Sequence, residues 1–168
     1  MKRRSRLTRA RLRELLHYNP KTGQFHWWTR TGNRTWLGPL AGCVSRDGYR
    51  YIKVDHRIYR EHQLAWFYMN GRWGRPLIDH RDGDGTNNRW TNLRQATRSQ
   101  NCANCRRPRD NTSGYKGVHH YRRSGKWTAQ ICSNRKRFHL GTFETREEAR
   151  EAYLKAARKL FGEFARAA

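Results

Sequence analysis

Thirteen carboxylates serve this 168-residue chain, and three of them, Asp79, Asp82 and Asp84, fall within six positions. In a chain with 37 Lys and Arg such a cluster needs a reason. Metal binding is one. A solvated turn is the other, and it is the preferred reading for Asp82 and Asp84. The segment does not match a calcium loop of the helix-loop-helix kind: counted from Asp82, position six is Asn87 rather than Gly and position twelve is Leu93 rather than Glu. Asp79-His80 differs because it closes the apolar run Leu77-Ile78. Successive side chains on a strand point to opposite faces, so one of the pair can hold a cation while its neighbour addresses a water. Phosphodiester hydrolysis needs those two functions together, a metal to stabilise charge on the phosphate and leaving oxygen and a base to activate water. Imidazole suits the second, since its ordinary pKa lies near working pH. By itself an Asp-His dipeptide could equally end an ordinary strand.

Three segments must position these groups. In residues 1–76, Leu7, Leu12, Leu15 and Leu16 have amphipathic spacing and Thr8 can cap a short helix. The cluster Asn19-Pro20-Lys21-Thr22-Gly23 turns the chain. Strands are expected at 24–28, 36–41 and 48–54, with Asp55-His56-Arg57 as a hairpin turn before Ile58 and Tyr59. A helix follows over 62–69, with Leu64, Ala65 and Tyr68 on one face, stopped by Asn70-Gly71. His62 is read as a helix-start or core residue. Residues 77–106 read as strand (77–80), polar loop (81–88), strand (93–97) and a helix capped by Thr97 that runs to about Cys105. The basic stretch 107–112 is a linker. Residues 113–168 read as strands over 115–121, 126–133 and 137–143, then a helix opened by the Thr145/Glu148 capping box and ended by Gly162. Ala149, Ala152, Tyr153, Ala156 and Leu160 mark its expected buried face.

The formal charge is +24, and it is spread: 17 basic and 4 acidic groups in 1–78, 20 and 9 in 79–168. Such self-repulsion favours a polyanionic partner, and nucleic acid is the obvious one. Charge alone leaves a nucleic-acid coat protein as open as a DNA enzyme. Disorder is disfavoured by seven Trp, eight Tyr and six Phe in patterned segments. No apolar run approaches the roughly 18 residues of a membrane span, and no signal-type stretch follows the basic start Met1-Lys2-Arg3-Arg4. A cytoplasmic protein with no membrane partner is therefore expected, as a monomer, with Cys43, Cys102, Cys105 and Cys132 reduced. Cys102-Ala103-Asn104-Cys105 is half a zinc site, and although His119 and His120 lie nearby the second ligand pair is missing, so structural zinc is not expected.

The longer pattern is more specific. His80, Asn92 and Asn101 stand as H-x11-N-x8-N across strand, loop, strand and helix. Around them run Ile78-Asp79-His80, Asn88-Arg89-Trp90-Thr91-Asn92-Leu93-Arg94 and Ser99-Gln100-Asn101, preceded by His62-Gln63-Leu64-Ala65-Trp66. This resembles the HNH nucleases, above all the phage-type HNH homing endonucleases in which Asn replaces the final His, and the likeness covers roughly 7–105. It implies a ββα-metal fold around one divalent ion. Asp79 would be a metal ligand, His80 the general base, Asn92 the brace of the loop that orients the His, and Asn101 the second ligand through its amide oxygen. Arg98, one helical turn before Asn101, would bind the scissile phosphate. By themselves, Asn88 and Asn92 also suit turn formation. A neutral oxygen ligand at the last position suits Mg²⁺ or Mn²⁺ better than zinc, with water and DNA phosphate completing the shell.

In the third segment, Tyr115-Lys116-Gly117-Val118, Gly125-Lys126-Trp127-Thr128-Ala129-Gln130-Ile131, Leu140-Gly141-Thr142-Phe143 and Glu147-Glu148-Ala149 with Ala152-Tyr153 resemble the ethylene-response-factor (Apetala-type) DNA-binding domain. That family lays a three-stranded sheet in the major groove and backs it with a helix. Alternation agrees: Trp127, Ala129, Ile131, Phe138 and Leu140 would face the helix, while Lys126, Thr128, Gln130, Arg137 and His139 face outward towards phosphates and base edges. Lys116, His119 and Tyr121 occupy the family's contact positions on the first strand. The family usually has Arg at several of these places and a first turn one residue shorter, so its sequence preference does not transfer.

The expectation is thus an α+β protein. A nuclease domain spans 1–106 (1–76 the N-terminal helix and strands, 77–106 the ββα motif), 107–112 is a linker, and 113–168 is a small three-stranded antiparallel sheet packed on one helix. Its expected activity is metal-dependent nicking of double-stranded DNA, of homing type. The alternatives are a non-catalytic DNA-binding regulator with a vestigial HNH fold and an RNA-coating protein. Neither needs Asp79, His80 and Asn101 to be kept together.

Overall fold

A computed structural model describes residues 7–31, 34–108 and 110–166; the basic start Met1–Arg4 lies outside them. The fold is α+β, and the chain divides into two compact units, 1–95 and 96–168.

In the first unit, helix α1 (Arg9–Leu15) begins at Thr8, whose hydroxyl accepts the Arg11 N–H at 3.1 Å. The chain extends at once into β1 (Leu16–Asn19), which the turn at 19–23 pairs antiparallel with β2 (Gln24–Thr31); β3 (Arg34–Leu40) completes the sheet β1-β2-β3. A second sheet runs β4-β5-β6, from Cys43–Val44, Arg50–Val54 and Arg57–Arg60. Its β5–β6 turn places Asp55 and His56 at φ 45° and 65°, the left-handed pair that a two-residue hairpin requires. Helix α2 (Glu61–Asn70) ends on Gly71 at φ 72°, within the expected stop signal Asn70-Gly71. Leu12, Leu16, Tyr18, Phe25, Ile52, Val54, Leu64 and Ala65 are buried in one cluster. The short strands β1 and β4 have no sequence signal of their own; β1 is too brief for alternation to speak, and tertiary pairing with β2 decides it.

Strand β7 (Leu77–His80) pairs with β8 (Leu93–Ala96). A polar loop and one 3-10 turn, Trp90–Asn92, connect them.

The second unit opens with helix α3 (Arg98–Asn104), which carries a reciprocal Thr97/Gln100 capping box. The sheet order β11-β10-β9 comes from Val118–Tyr121 (β9), Lys126–Ser133 (β10) and Lys136–Phe143 (β11), all antiparallel. Helix α4 (Arg146–Phe161) starts on the Thr145/Glu148 capping box. Its buried face is Ala149, Tyr153, Ala157 and Phe161, an i, i+4 series. Ala149 and Tyr153 are buried as expected and Ala152 and Ala156 partly so, but Leu160, expected inside, is exposed, and Phe161 takes the inward place. Phe138, also expected against the helix, is exposed as well. A bulge between Ala129 and Gln130 adds one residue to β11; Leu140 packs on the core, while Phe138, although opposite the buried Ile131, stays exposed. Gly117, at φ 73°, could carry no side chain: a Cβ would meet the Tyr153 ring at 2.3 Å. Among the described residues no helix is long and apolar enough to cross a membrane.

Candidate active site and nucleic-acid face

The end of β7 aims two buried polar side chains to different partners. Asp79 Oδ2 accepts the Arg94 Nε–H at 2.9 Å, an ion pair with both side chains buried. Arg94 stands on β8, so the strand pairing that builds the motif also orients the carboxylate. His80 Nε2 lies 2.9 Å from Asn88 Oδ1. An amide oxygen only accepts, so in this contact Nε2 donates. The His62 ring meets His80 edge to face, 4.9 Å between centroids at 88°, and Tyr49 packs on both. His62 is buried, and among the described residues its Nδ1 has no hydrogen-bond partner. Burial first, then the nearby His80 and Arg60, push its pKa down to about 3, so it stays neutral beside His80.

The loop between the strands is tied by its own side chains. Asn92 Oδ1 accepts the Asp82 N–H at 3.1 Å, while Asn92 Nδ2 donates to Asp82 Oδ1 and to the Asn87 carbonyl at 2.9 and 2.7 Å. Asp82 Oδ1 accepts the Asp84 N–H, and Asp84 Oδ1 accepts the Thr86 N–H and hydroxyl. These donors hold Asp82 and Asp84 below the usual carboxylate range. Asp82 thus spends both oxygens, and Asp84 its Oδ1, on the turn, and Asn92 braces it. The residue on the His80 ring is Asn88. It is buried, and its carbonyl accepts the Tyr18 hydroxyl at 2.7 Å. Sequence reading missed Asn88, Arg94 and the His62 contact. The Asn-rich loop was visible, but not which Asn reaches the ring.

Arg98 and Asn101 stand on α3 in the second unit, Arg98 exposed and Asn101 half-buried. Among the described residues the Asn101 side-chain amide makes no hydrogen bond, while the Cys105 thiol donates to its backbone carbonyl at 3.2 Å. As donors, the Asp79 carboxylate and the Asn101 amide oxygen are hard and suit an oxygen-seeking divalent ion.

Seven of the eight expected DNA-contact residues share the outer face of the C-terminal sheet. The cross-strand pairs are Lys126 with Tyr121, Thr128 with His119, Gln130 with His139, and Cys132 with Arg137, and residues directly opposite share a face. Lys126 is engaged by Glu144 at 2.5 Å on the surface. Lys116 stands apart: its ammonium donates to the carbonyls of Cys102, Ala103 and Cys105 at 3.0, 2.7 and 2.9 Å.

Comparison with known proteins agrees with both halves. The family model described as HNH endonuclease matches residues 59–103, and that of the AP2 domain matches 113–163. Protein 3.8 of Escherichia phage T7 is 32% identical over 115 residues, which is 68% of this chain and 94% of that protein. APETALA2-like protein 2 of Oryza sativa subsp. indica is 44% identical over 57 residues, 34% of this chain. Dehydration-responsive element-binding protein 2D of Arabidopsis thaliana is 45% identical over 71 residues, 40% of this chain. The chain spans only 13% and 34% of the length of these two plant proteins.

Proposed function

Because the chain belongs to the HNH endonuclease family and carries a C-terminal AP2 domain, both of them DNA-binding, we propose that it is a metal-dependent endonuclease that hydrolyses phosphodiester bonds of duplex DNA, as a nicking enzyme of the homing type. The observation that carries this reading is His80: its Nε2 is committed to Asn88, its ring rests on a neutral His62, and Asp79 is its neighbour on the strand.

Water attacks phosphorus opposite the leaving oxygen, so a base must stand near the water. His80 takes the water's proton at Nδ1. Asn88 sets that tautomer, and Asn92 keeps the loop that holds Asn88 in shape. Asp79 and Asn101 would hold one Mg²⁺ or Mn²⁺ ion through oxygen, with Arg94 fixing the carboxylate. When bound, that ion stabilises charge on the scissile phosphate and leaving oxygen. Arg98 would bind the scissile phosphate. His119, Tyr121, Lys126, Thr128, Gln130, Arg137 and His139 anchor the sheet in the major groove, Lys and Arg through phosphate charge and the polar side chains at base edges.

A plasmid-nicking assay tests the reading. The native protein should convert supercoiled to open-circular DNA with Mg²⁺, EDTA should abolish this, and His80→Ala should lose at least about 100-fold in rate. Cutting by His80→Ala at the native rate, or none by the native protein on any DNA, would reject it.

A further inference from the structure

The HNH match runs to residue 103, yet the compact unit that holds the AP2 sheet begins at Ala96. Helix α3, the last element of the nuclease motif, is therefore built into the DNA-reading unit. It is only seven residues long, too short to persist by itself. Three contacts keep it. Ala103 is buried in one cluster with Ile131, Tyr153, Ala157, Phe161 and Phe164. At the first turn, Ser99 Oγ accepts the Asn134 N–H at 2.8 Å and donates to Asn134 Oδ1 at 3.2 Å, which docks the β10–β11 turn. At the other end, Lys116 places its ammonium on three carbonyls of the helix terminus. These carbonyls stand at the C-terminal end of the helix, the negative end of its dipole, and that of Cys102 also accepts the Cys105 N–H at 3.3 Å. An ammonium has three N–H donors, and all three are used. Burial pushes the Lys116 pKa down, as expected of a group withdrawn from solvent.

We propose that Lys116 is a positioning residue: it clamps the C-terminal end of α3 and, with the Asn134 turn, makes the DNA-binding sheet the mount for the helix that presents Asn101, rather than contacting DNA itself. Asn101 sits between the two clamps, two residues after Ser99 and one before Cys102. The inference rests on the nuclease reading for the role of Asn101, but not for the clamp.

The test uses the full chain with Lys116→Met. Hydrogen exchange of the 98–104 amides should speed by about tenfold. The Mg²⁺ concentration for half-maximal nicking should rise by about tenfold, the size seen when a supporting partner of a metal ligand is lost. Duplex affinity in EDTA should stay within about twofold, with the native salt slope. Ser99→Ala, a milder change, should move exchange and Mg²⁺ requirement the same way and serves if Lys116→Met fails to fold. A DNA contact would give the opposite pattern: weaker binding in EDTA, a salt slope smaller by about one, and unchanged exchange. That result overturns the proposal, as does faster exchange with an unchanged Mg²⁺ requirement. If the native protein cuts nothing, the nuclease reading fails, while exchange and EDTA binding still decide whether Lys116 clamps the helix or holds DNA.

Discussion

At the scale of single residues, the pair His62 and His80 carries the sharpest consequence. An unfolded histidine has its ordinary pKa near 6.5, whereas His62 in the fold lies at about 3, chiefly through burial and then through His80 and Arg60. Tyr49 is the other ring against it. Below pH 6.5 the unfolded chain binds a proton that the fold refuses. The stability that neutral His62 contributes is therefore whole above about pH 6.5 and is lost as pH falls towards 3. Thermal unfolding of the native protein should shift to lower temperature between pH 7 and 4, and His62→Phe should flatten that dependence. An equally steep dependence in the variant would show that His62 is not its source. The same neighbourhood marks a limit of sequence reading. His62 was legible as a core residue, and it is one. That its core is the flank of His80 depends on α2 and β7 meeting, which no local spacing encodes.

Among the elements, α4 and the sheet it backs are the most legible. The Thr145/Glu148 box and the Ala-rich spacing foretell a capped helix, and both are present. Periodicity placed Ala149 and Tyr153 inside, but took Leu160 instead of Phe161 for the last buried position, a small rotation of the face. A helix stripe read at 3.6 residues per turn cannot resolve such a rotation; the aromatic ring that fills the space beside Ala103 and Ile131 does. Phe161→Ala should consequently cost about 3–5 kcal/mol, whereas Leu160→Ala should cost under about 0.5 kcal/mol, as an exposed site does. Chemical denaturation of the two variants separates these, and equal losses would contradict the observed face. The β11 bulge belongs to the same class of surprise. Alternation assumes an unbroken pleat, and one inserted residue in β11 shifts the register between Gly141 and His139, while Phe138, opposite the buried Ile131, stays exposed.

For the whole molecule, charge sets the behaviour. A chain of net charge +24 releases counterions as it binds DNA. If it covers six or more phosphates, duplex affinity should fall by about 10³-fold between roughly 50 and 200 mM salt. Titrations of the full chain at several salt concentrations measure this, and a flat dependence would reject the sheet as an electrostatic anchor. A linker is expected at 107–112 from its basic residues and Pro108. The compact units divide earlier, at Gln95/Ala96. Composition marks where a chain is polar and turns, whereas a compact unit is bounded by packing, and Lys116, Ser99 and Ala103 tie α3 to the C-terminal sheet and α4.

Asp79-His80, with the spacing to Asn92 and Asn101, was determined by sequence alone, because residue types at fixed intervals on strand, loop and helix are written in the chain. So were the caps at Thr8, Thr97 and Thr145, which act within three residues of themselves. Only tertiary structure decided that Asn88 rather than Asn92 holds the His80 ring, that Arg94 orients Asp79, and that Lys116 is spent on helix carbonyls. Each of those joins groups whose meeting depends on how strands and helices pack, and packing is a property of the folded surface, not of any local interval.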